Sequence, residues 1–175
     1  MRCDNCGANM HADLERGLFL CGYCGSESVP PPEPDGVLVL SDSQERCPVC
    51  AKPLSNGSLD SFCLKYCKNC RGMLILMDQL VALLSTVRSR RARFTGAPPA
   101  RSSADADRRL RCPSCGSEMD GHPYGGGGNV NVDSCEKCGV IWLDGSELRR
   151  MAAAPDLEQS WFAQQEAEKD PDQSR

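Results

Sequence analysis

Aromatic residues are scarce: Phe, Trp and Tyr together make up 5% of the 175 residues. Long apolar runs are missing as well, the most hydrophobic stretch being Met73–Leu84, 12 residues interrupted by Asp78. A membrane helix needs about 20 consecutive apolar residues, so that stretch does not supply one. Histidine is nearly absent. His11 and His122 are the two, and both lie outside the C-x-x-C pairs that dominate the sequence, which makes them ordinary loop or surface residues rather than ligands. With 16 glycines and 12 prolines to break regular structure, these shortages argue against one large core and for several small modules. Segments under about 40 residues seldom bury enough surface to fold alone and depend on disulfides or metals.

What is abundant is cysteine, 13 in all. Twelve fall into C-x-x-C pairs: Cys3/Cys6, Cys21/Cys24, Cys47/Cys50, Cys67/Cys70, Cys112/Cys115 and Cys135/Cys138, leaving Cys63 over. The opening Met1-Arg2-Cys3-Asp4-Asn5-Cys6 shows no apolar leader or cleavage signal, so the expected compartment is cytoplasmic and reducing. Paired thiols in that setting point to metal rather than to disulfides. The spacing groups them: 14, 16 and 19 residues separate the pairs within a quartet, against 22 and 41 between quartets. The first long gap holds Pro30-Pro31-Pro32-Glu33-Pro34, a stiff extended spacer. Sequential pairing gives three C-x2-C-x14–19-C-x2-C modules, a zinc spacing. Four thiolates complete a zinc tetrahedron and leave no position for water or substrate, so the sites read as structural, with three zinc ions per chain.

The second and third quartets are an internal repeat. Their first pairs align at an offset of 65 and their second pairs at 68. The difference is a three-residue insertion coinciding with Gly125-Gly126-Gly127-Gly128, a flexible hairpin tip. Phe62 and Leu64 match Val130 and Val132 in period-2 strands. Leu74 matches Trp142, and Leu80 matches Leu148 at the start of a helix. Asp144-Gly145-Ser146-Glu147 has the D-x-x-E form of a capping box, followed by Leu148, Met151 and Ala152 on one face and interrupted by Pro155. In the other copy Asp78 is the expected cap, with Leu80, Leu83, Leu84 and Val87 on one face of a helix reaching about Phe94. Gly96 and Pro98-Pro99 end it.

The run Cys112-Pro-x-Cys-Gly, then Val132-Asp133-x-Cys135-x-x-Cys138-Gly139-x-Ile141-Trp142-Leu143-Asp144-x-x-Glu147-Leu148 resembles the transcription factor IIB-type zinc-finger family. The resemblance covers residues 112–152 and, in a degenerate copy, 47–84; residues 3–25 are similar to a zinc ribbon only in general terms. It implies zinc-bound β-ribbons with trailing helices and a link to transcription. Ribbons serve DNA, RNA, polymerase and protein partners alike, so the fold alone does not name a partner. The degenerate copy has Ala51 and Arg71 where the other has Gly116 and Gly139. Residues after the second cysteine of a knuckle often take φ > 0, which costs a non-glycine residue about 1–2 kcal/mol. The second module is therefore the expected site of strain. It also holds Cys63, on the strand face opposite Phe62 and Leu64, read as a free cysteine on a small sheet with redox sensing or competition for zinc as the alternative.

The formal net charge of −4 is unevenly spread, residues 88–111 carrying +6. Each loaded four-thiolate site adds a further −2, taking the chain to −10 with three sites. Whole-protein attraction to phosphate is disfavoured, and any nucleic-acid contact has to be local. The local candidates are Arg88, Arg90, Arg91, Arg93, Arg101, Arg108, Arg109 and Arg111, suited to phosphate or to an acidic protein surface. The rival reading is a solvated linker, since a single aromatic, Phe94, lies among these arginines. Val37-Leu38-Val39-Leu40 is expected as a strand added to a ribbon, with a linear partner motif as its rival. Leu157, Trp161 and Phe162 are expected to make an apolar helix stripe that packs back on the third module, with partner docking as the rival, followed by a disordered tail from Glu166.

The expected fold class is a set of small metal-stabilised modules: three four-cysteine zinc β-ribbons, the second and third each followed by an α-helix. The expected organisation is a zinc ribbon over 1–28, a Pro-rich linker over 29–46 and a degenerate ribbon with an amphipathic helix over 47–94. An Arg/Ala/Pro/Ser linker over 95–110, a ribbon with helix over 111–154, and a C-terminal helix with acidic tail over 155–175 complete it. The expected function is a non-enzymatic, zinc-binding interaction protein that contacts protein or nucleic acid, without membrane or small-molecule substrate. A rubredoxin-like iron-tetrathiolate electron carrier is the alternative, set back by short central gaps, three sites and few aromatics. Catalysis is disfavoured because no βαβ pattern flanks a C-x-x-C and no coordination position is open.

Overall fold

The computed structural model describes residues 1–90, 108–124 and 130–154. The chain forms two antiparallel sheets. The first is a small N-terminal ribbon of β1 (Met10–Asp13), β2 (Leu18–Cys21) and β3 (Glu27–Ser28) in sequential order. The second has seven strands: β4 (Leu38–Arg46), β5 (Pro53–Leu59), β6 (Phe62–Tyr66), β7 (Met73–Leu76), β8 (Asp120–Pro123), β9 (Asn131–Cys135) and β10 (Val140–Leu143). Its order is β4-β5-β6-β7-β10-β9-β8. Helix α1 (Leu80–Ser89) follows β7 after a 3-10 turn at Met77–Gln79, and α2 (Glu147–Ala153) follows β10. Among the described residues no helix is long and apolar enough to cross a membrane.

The repeat seen in the sequence is therefore a single fused sheet. β5-β6-β7-α1 and β8-β9-β10-α2 are the same motif twice, joined where β7 pairs antiparallel with β10. Leu74 pairs with Trp142, which is its own counterpart at the offset of 68. A pseudo-two-fold axis thus passes between these two residues.

Alternation along the strands gives the sheet two buried faces. On one, Leu64, Tyr66, Met73, Ile75, Val132, Ile141 and Leu143 pack beneath Leu80, Leu83, Leu84 and Val87 of α1 and Leu148, Met151 and Ala152 of α2. Both helices bury the apolar faces expected from their periodicity, each large side chain contributing about 1.5–3 kcal/mol. On the other face Leu54, Leu74, Val140 and Trp142 join Leu110, Met119 and the knuckle cysteines of the second and third quartets.

Several local features depart from expectation. The strand foreseen at Val37–Leu40 runs as far as Arg46 and pairs with β5, so a stretch read as linker carries the sheet's longest strand. The opposite edge, β8, has no such cover among the described residues. Tyr124 N–H donates to Val130 O at 2.8 Å, and strand alternation then turns Gly121 and Pro123 outward. Pro123 has no N–H to offer a further strand, whereas its counterpart Ser58 in β5 pairs with Leu38 of β4.

Neither expected helix cap is made by its aspartate. Asp78 lies inside the 3-10 turn, and Gln79 occupies the position before α1 without a side-chain bond. Asp144 accepts instead from Trp142 Nε1 at 3.1 Å and Arg108 Nη2 at 2.6 Å. The other half of the box is present, Glu147 Oε2 accepting from Asp144 N–H at 2.8 Å. Phe94, the tetraglycine tip, Leu157, Trp161, Phe162 and the tail from Glu166 lie outside the described residues.

Candidate metal centres and the arginine segment

Six short turns bring the twelve paired cysteines into three groups: Cys3, Cys6, Cys21 and Cys24; Cys47, Cys50, Cys67 and Cys70; and Cys112, Cys115, Cys135 and Cys138. Within each group the Sγ atoms lie within 4.8 Å of one another. Contacts across the groups run from 3.4 Å for Cys47–Cys70 to 3.7 Å for Cys115–Cys135. A disulfide would close to about 2.05 Å, whereas a zinc tetrathiolate with bonds of about 2.3 Å has tetrahedral edges of about 3.8 Å. The donor sets fit three zinc ions, which would crosslink each ribbon through four thiolates and leave no open coordination position. Cys63 belongs to none of these groups.

The turns share one construction. In five of the six, the residue after the second cysteine donates its N–H to the carbonyl of the first, as in Gly7 to Cys3 at 2.8 Å and Arg71 to Cys67 at 2.7 Å. In the sixth, Gly139 N–H bonds Glu136 O at 3.2 Å. All six residues have positive φ, from 56° at Ala51 to 73° at Gly7 and Gly116. That twist aims the next N–H at the second cysteine's sulfur. Where a serine hydroxyl joins that N–H the thiol falls, Ser26 lowering Cys24 to about 5 and Ser117 lowering Cys115 to about 6. At Cys6 the Ala8 N–H is outweighed by neighbouring thiols and burial, which raise it to about 12. Burial outweighs the Gly72 N–H and raises Cys70, and Cys115 foremost raises Cys138 to about 12. For Cys50, burial raises the pKa, but the Lys52 N–H and neighbouring thiols outweigh it and bring it to about 7. The strain expected of the second module is present, since Ala51 and Arg71 adopt at φ 56° and 62° what glycine adopts elsewhere.

Exposure separates the sites. The first cysteine of every pair is buried, while the second is exposed at Cys6 and Cys24 and half-buried at Cys50, Cys70, Cys115 and Cys138. The second and third sites lie in one apolar cluster around Trp142, which the first site does not join.

The arginines are mostly committed inside the chain. Arg88 Nη2 donates to Met151 O at 3.1 Å, Arg90 pairs with Asp60, and Arg109 with Glu118. Arg108 bridges Asp144 at 2.6 Å and Asp133 at 3.9 Å. Arg111 Nη1 donates to Gly116 O at 3.2 Å. Arg91, Arg93 and Arg101 lie outside the described residues. Arg46 Nη1 reaches Ala51 O at 3.2 Å in the same way as Arg111, each bracing the carbonyl of a positive-φ residue. The signal was in the sequence: an arginine, Arg2, Arg46 or Arg111, immediately precedes the first cysteine of every site. Gly72 and Gly145, which stand where the two copies meet, carried no such signal.

Cys63 sits half-buried on β6, and burial foremost, then Glu15 and Asp13, raises its pKa. That direction keeps it a thiol. His11 and His122 are in β1 and β8 and join no metal group.

Residues 46–86 and 111–154, the two copies of the repeat, each match the transcription factor zinc-finger family. No curated protein and no solved structure matches the chain.

Proposed function

We propose that a chain with two transcription factor zinc-finger segments and a third four-thiol group works as a non-enzymatic adaptor, holding a macromolecular partner on metal-stapled ribbons. The observation that carries this reading is the closed donor set: four cysteine sulfurs within 4.8 Å at every centre. Such a centre stabilises a fold and gives a substrate no place to coordinate. Zinc at a site of this type contributes folding energy of order 10 kcal/mol.

The partner surface is the Arg-rich segment, used for phosphate or for an acidic protein face. Arg88, Arg90, Arg108 and Arg111 already make contacts within the chain, and Arg109 pairs with Glu118 at an exposed surface. The proposed contacting set is therefore Arg109 together with Arg91, Arg93 and Arg101, which lie outside the described residues. The test uses zinc-loaded full-length protein with duplex DNA and with single-stranded RNA at low salt. Replacing those four by Gln is expected to reduce the slope of log K against log salt by about 0.7–0.9 for each phosphate no longer neutralised. Absence of binding to either nucleic acid at low salt in the parent favours the acidic protein face.

A further inference from the structure

We infer that the second and third metal sites are thermodynamically coupled: an ion at either one raises affinity at the other, while the first site loads alone. Each copy of the repeat supports the other's second knuckle. Gly145, two residues past β10, stands against the knuckle of the second copy, where an added Cβ would lie 2.5 Å from Cys70 O and 3.0 Å from Arg71 Cβ. Its counterpart at the offset of 68 is Met77. Met77 N–H donates to Gly139 O at 2.9 Å, and Gly139 is the counterpart of Arg71. Each copy's turn therefore closes on the other copy's ligand loop. Trp142 adds to this, its ring lying where a Cβ on Gly72 would stand 2.2 Å from Cζ2.

Metal binding fixes a knuckle that is otherwise free to fray, and part of its free energy is folding energy. Ordering the Cys67–Cys70 knuckle presents a finished surface to Gly145 and Trp142, and ordering Cys135–Cys138 presents Gly139 to Met77. The second ion thus binds to a partner already ordered by the first, which is positive coupling by shared ordering cost. The buried cysteines of both sites, Cys47, Cys67, Cys112 and Cys135, lie in one apolar cluster. Cys3, Cys6, Cys21 and Cys24 take no part in it. The coupling depends on zinc binding alone and not on which macromolecule the protein contacts.

The test is native mass spectrometry of full-length protein carrying Cys21→Ser and Cys24→Ser, titrated with Zn²⁺ against a competing chelator. Independent, equal sites leave half of the molecules with one ion at half saturation; a tenfold coupling lowers that fraction to about one quarter. Coupling of the two sites predicts about one quarter or less. Keeping every thiol of the coupled sites and adding Gly145→Ala is expected to move the fraction back toward one half and to weaken binding. A parent one-ion fraction of one half overturns the coupling, and a Gly145→Ala fraction equal to the parent's overturns this contact as its route.

Discussion

Leu74 pairs with Trp142 across the junction of β7 and β10, and the two hold the same place in successive copies of one motif. An antiparallel pair of identical motifs needs such a self-matched position, and here it carries the largest side chain of the shared apolar cluster, with Trp142 fully buried. Truncating it removes packing from both ribbons together. Trp142→Ala is expected to cost about 3–5 kcal/mol, seen as a lower chelator midpoint for the second and third sites in cobalt-substituted protein. Loss confined to the third site would show that the two ribbons are independent.

The six knuckles offer a clean measure of backbone strain. A Cβ built at Gly116 meets nothing within 4 Å, so glycine is there for its φ of 73° and not for space. Ala51 holds φ 56° in the equivalent turn. Ala51→Gly is expected to stabilise the zinc-loaded protein by about 1 kcal/mol and Gly116→Ala to destabilise it by about 1–2 kcal/mol, measured by urea denaturation at fixed free zinc. Effects of the opposite sign would mean that the turns are not strained in this way.

Much of this was legible from residues. C-x-x-C pairs and their gaps located all three centres, apolar patterns located β6, β7, β9, β10 and both helices but neither β5 nor β8, and the missing glycines located the strain. What the sequence did not disclose was contact between the copies. Nothing in the continuous apolar run Met73–Leu76 says which strand lies beside it, because a central strand reads the same whatever its neighbour. Asp144 shows the same limit at one side chain. Its D-x-x-E spacing fits a cap, but Trp142, two residues away, and Arg108, 36 residues away, outcompete the helix terminus, Arg108 with a charge-assisted bond.

Glu147 gives the structure a pH dependence. Burial, which outweighs the Asp144 N–H and Arg150, raises its carboxyl from 4.5 to about 7, with Asp144 and Asp133 adding to the rise. In the folded state it stays protonated over a range where the unfolded chain ionises it. Its contribution is therefore complete below pH 4.5 and is lost as pH rises through about 7. Relative to Glu147→Gln, the parent is expected to lose about 1–3 kcal/mol between about pH 5.5 and 8, measured by urea denaturation with zinc held saturating. Parallel profiles for the two proteins would contradict this.

Cys63 is the thiol left over. Burial raises its pKa, so in zinc-loaded protein at neutral pH it is expected to react with iodoacetamide more slowly than a free cysteine model peptide, and Cys63→Ser is expected to leave the zinc content unchanged. Rapid alkylation at neutral pH, or a lost equivalent of zinc, would restore it as a sensing residue or ligand.

Metal content tests the three-centre architecture most directly. Twelve cysteine sulfurs in three closed groups predict that purified protein is colourless, holds three equivalents of zinc per chain, and shows no thiol other than Cys63 to a reagent that leaves zinc bound. One equivalent or none, or iron with visible absorption in place of zinc, would contradict it.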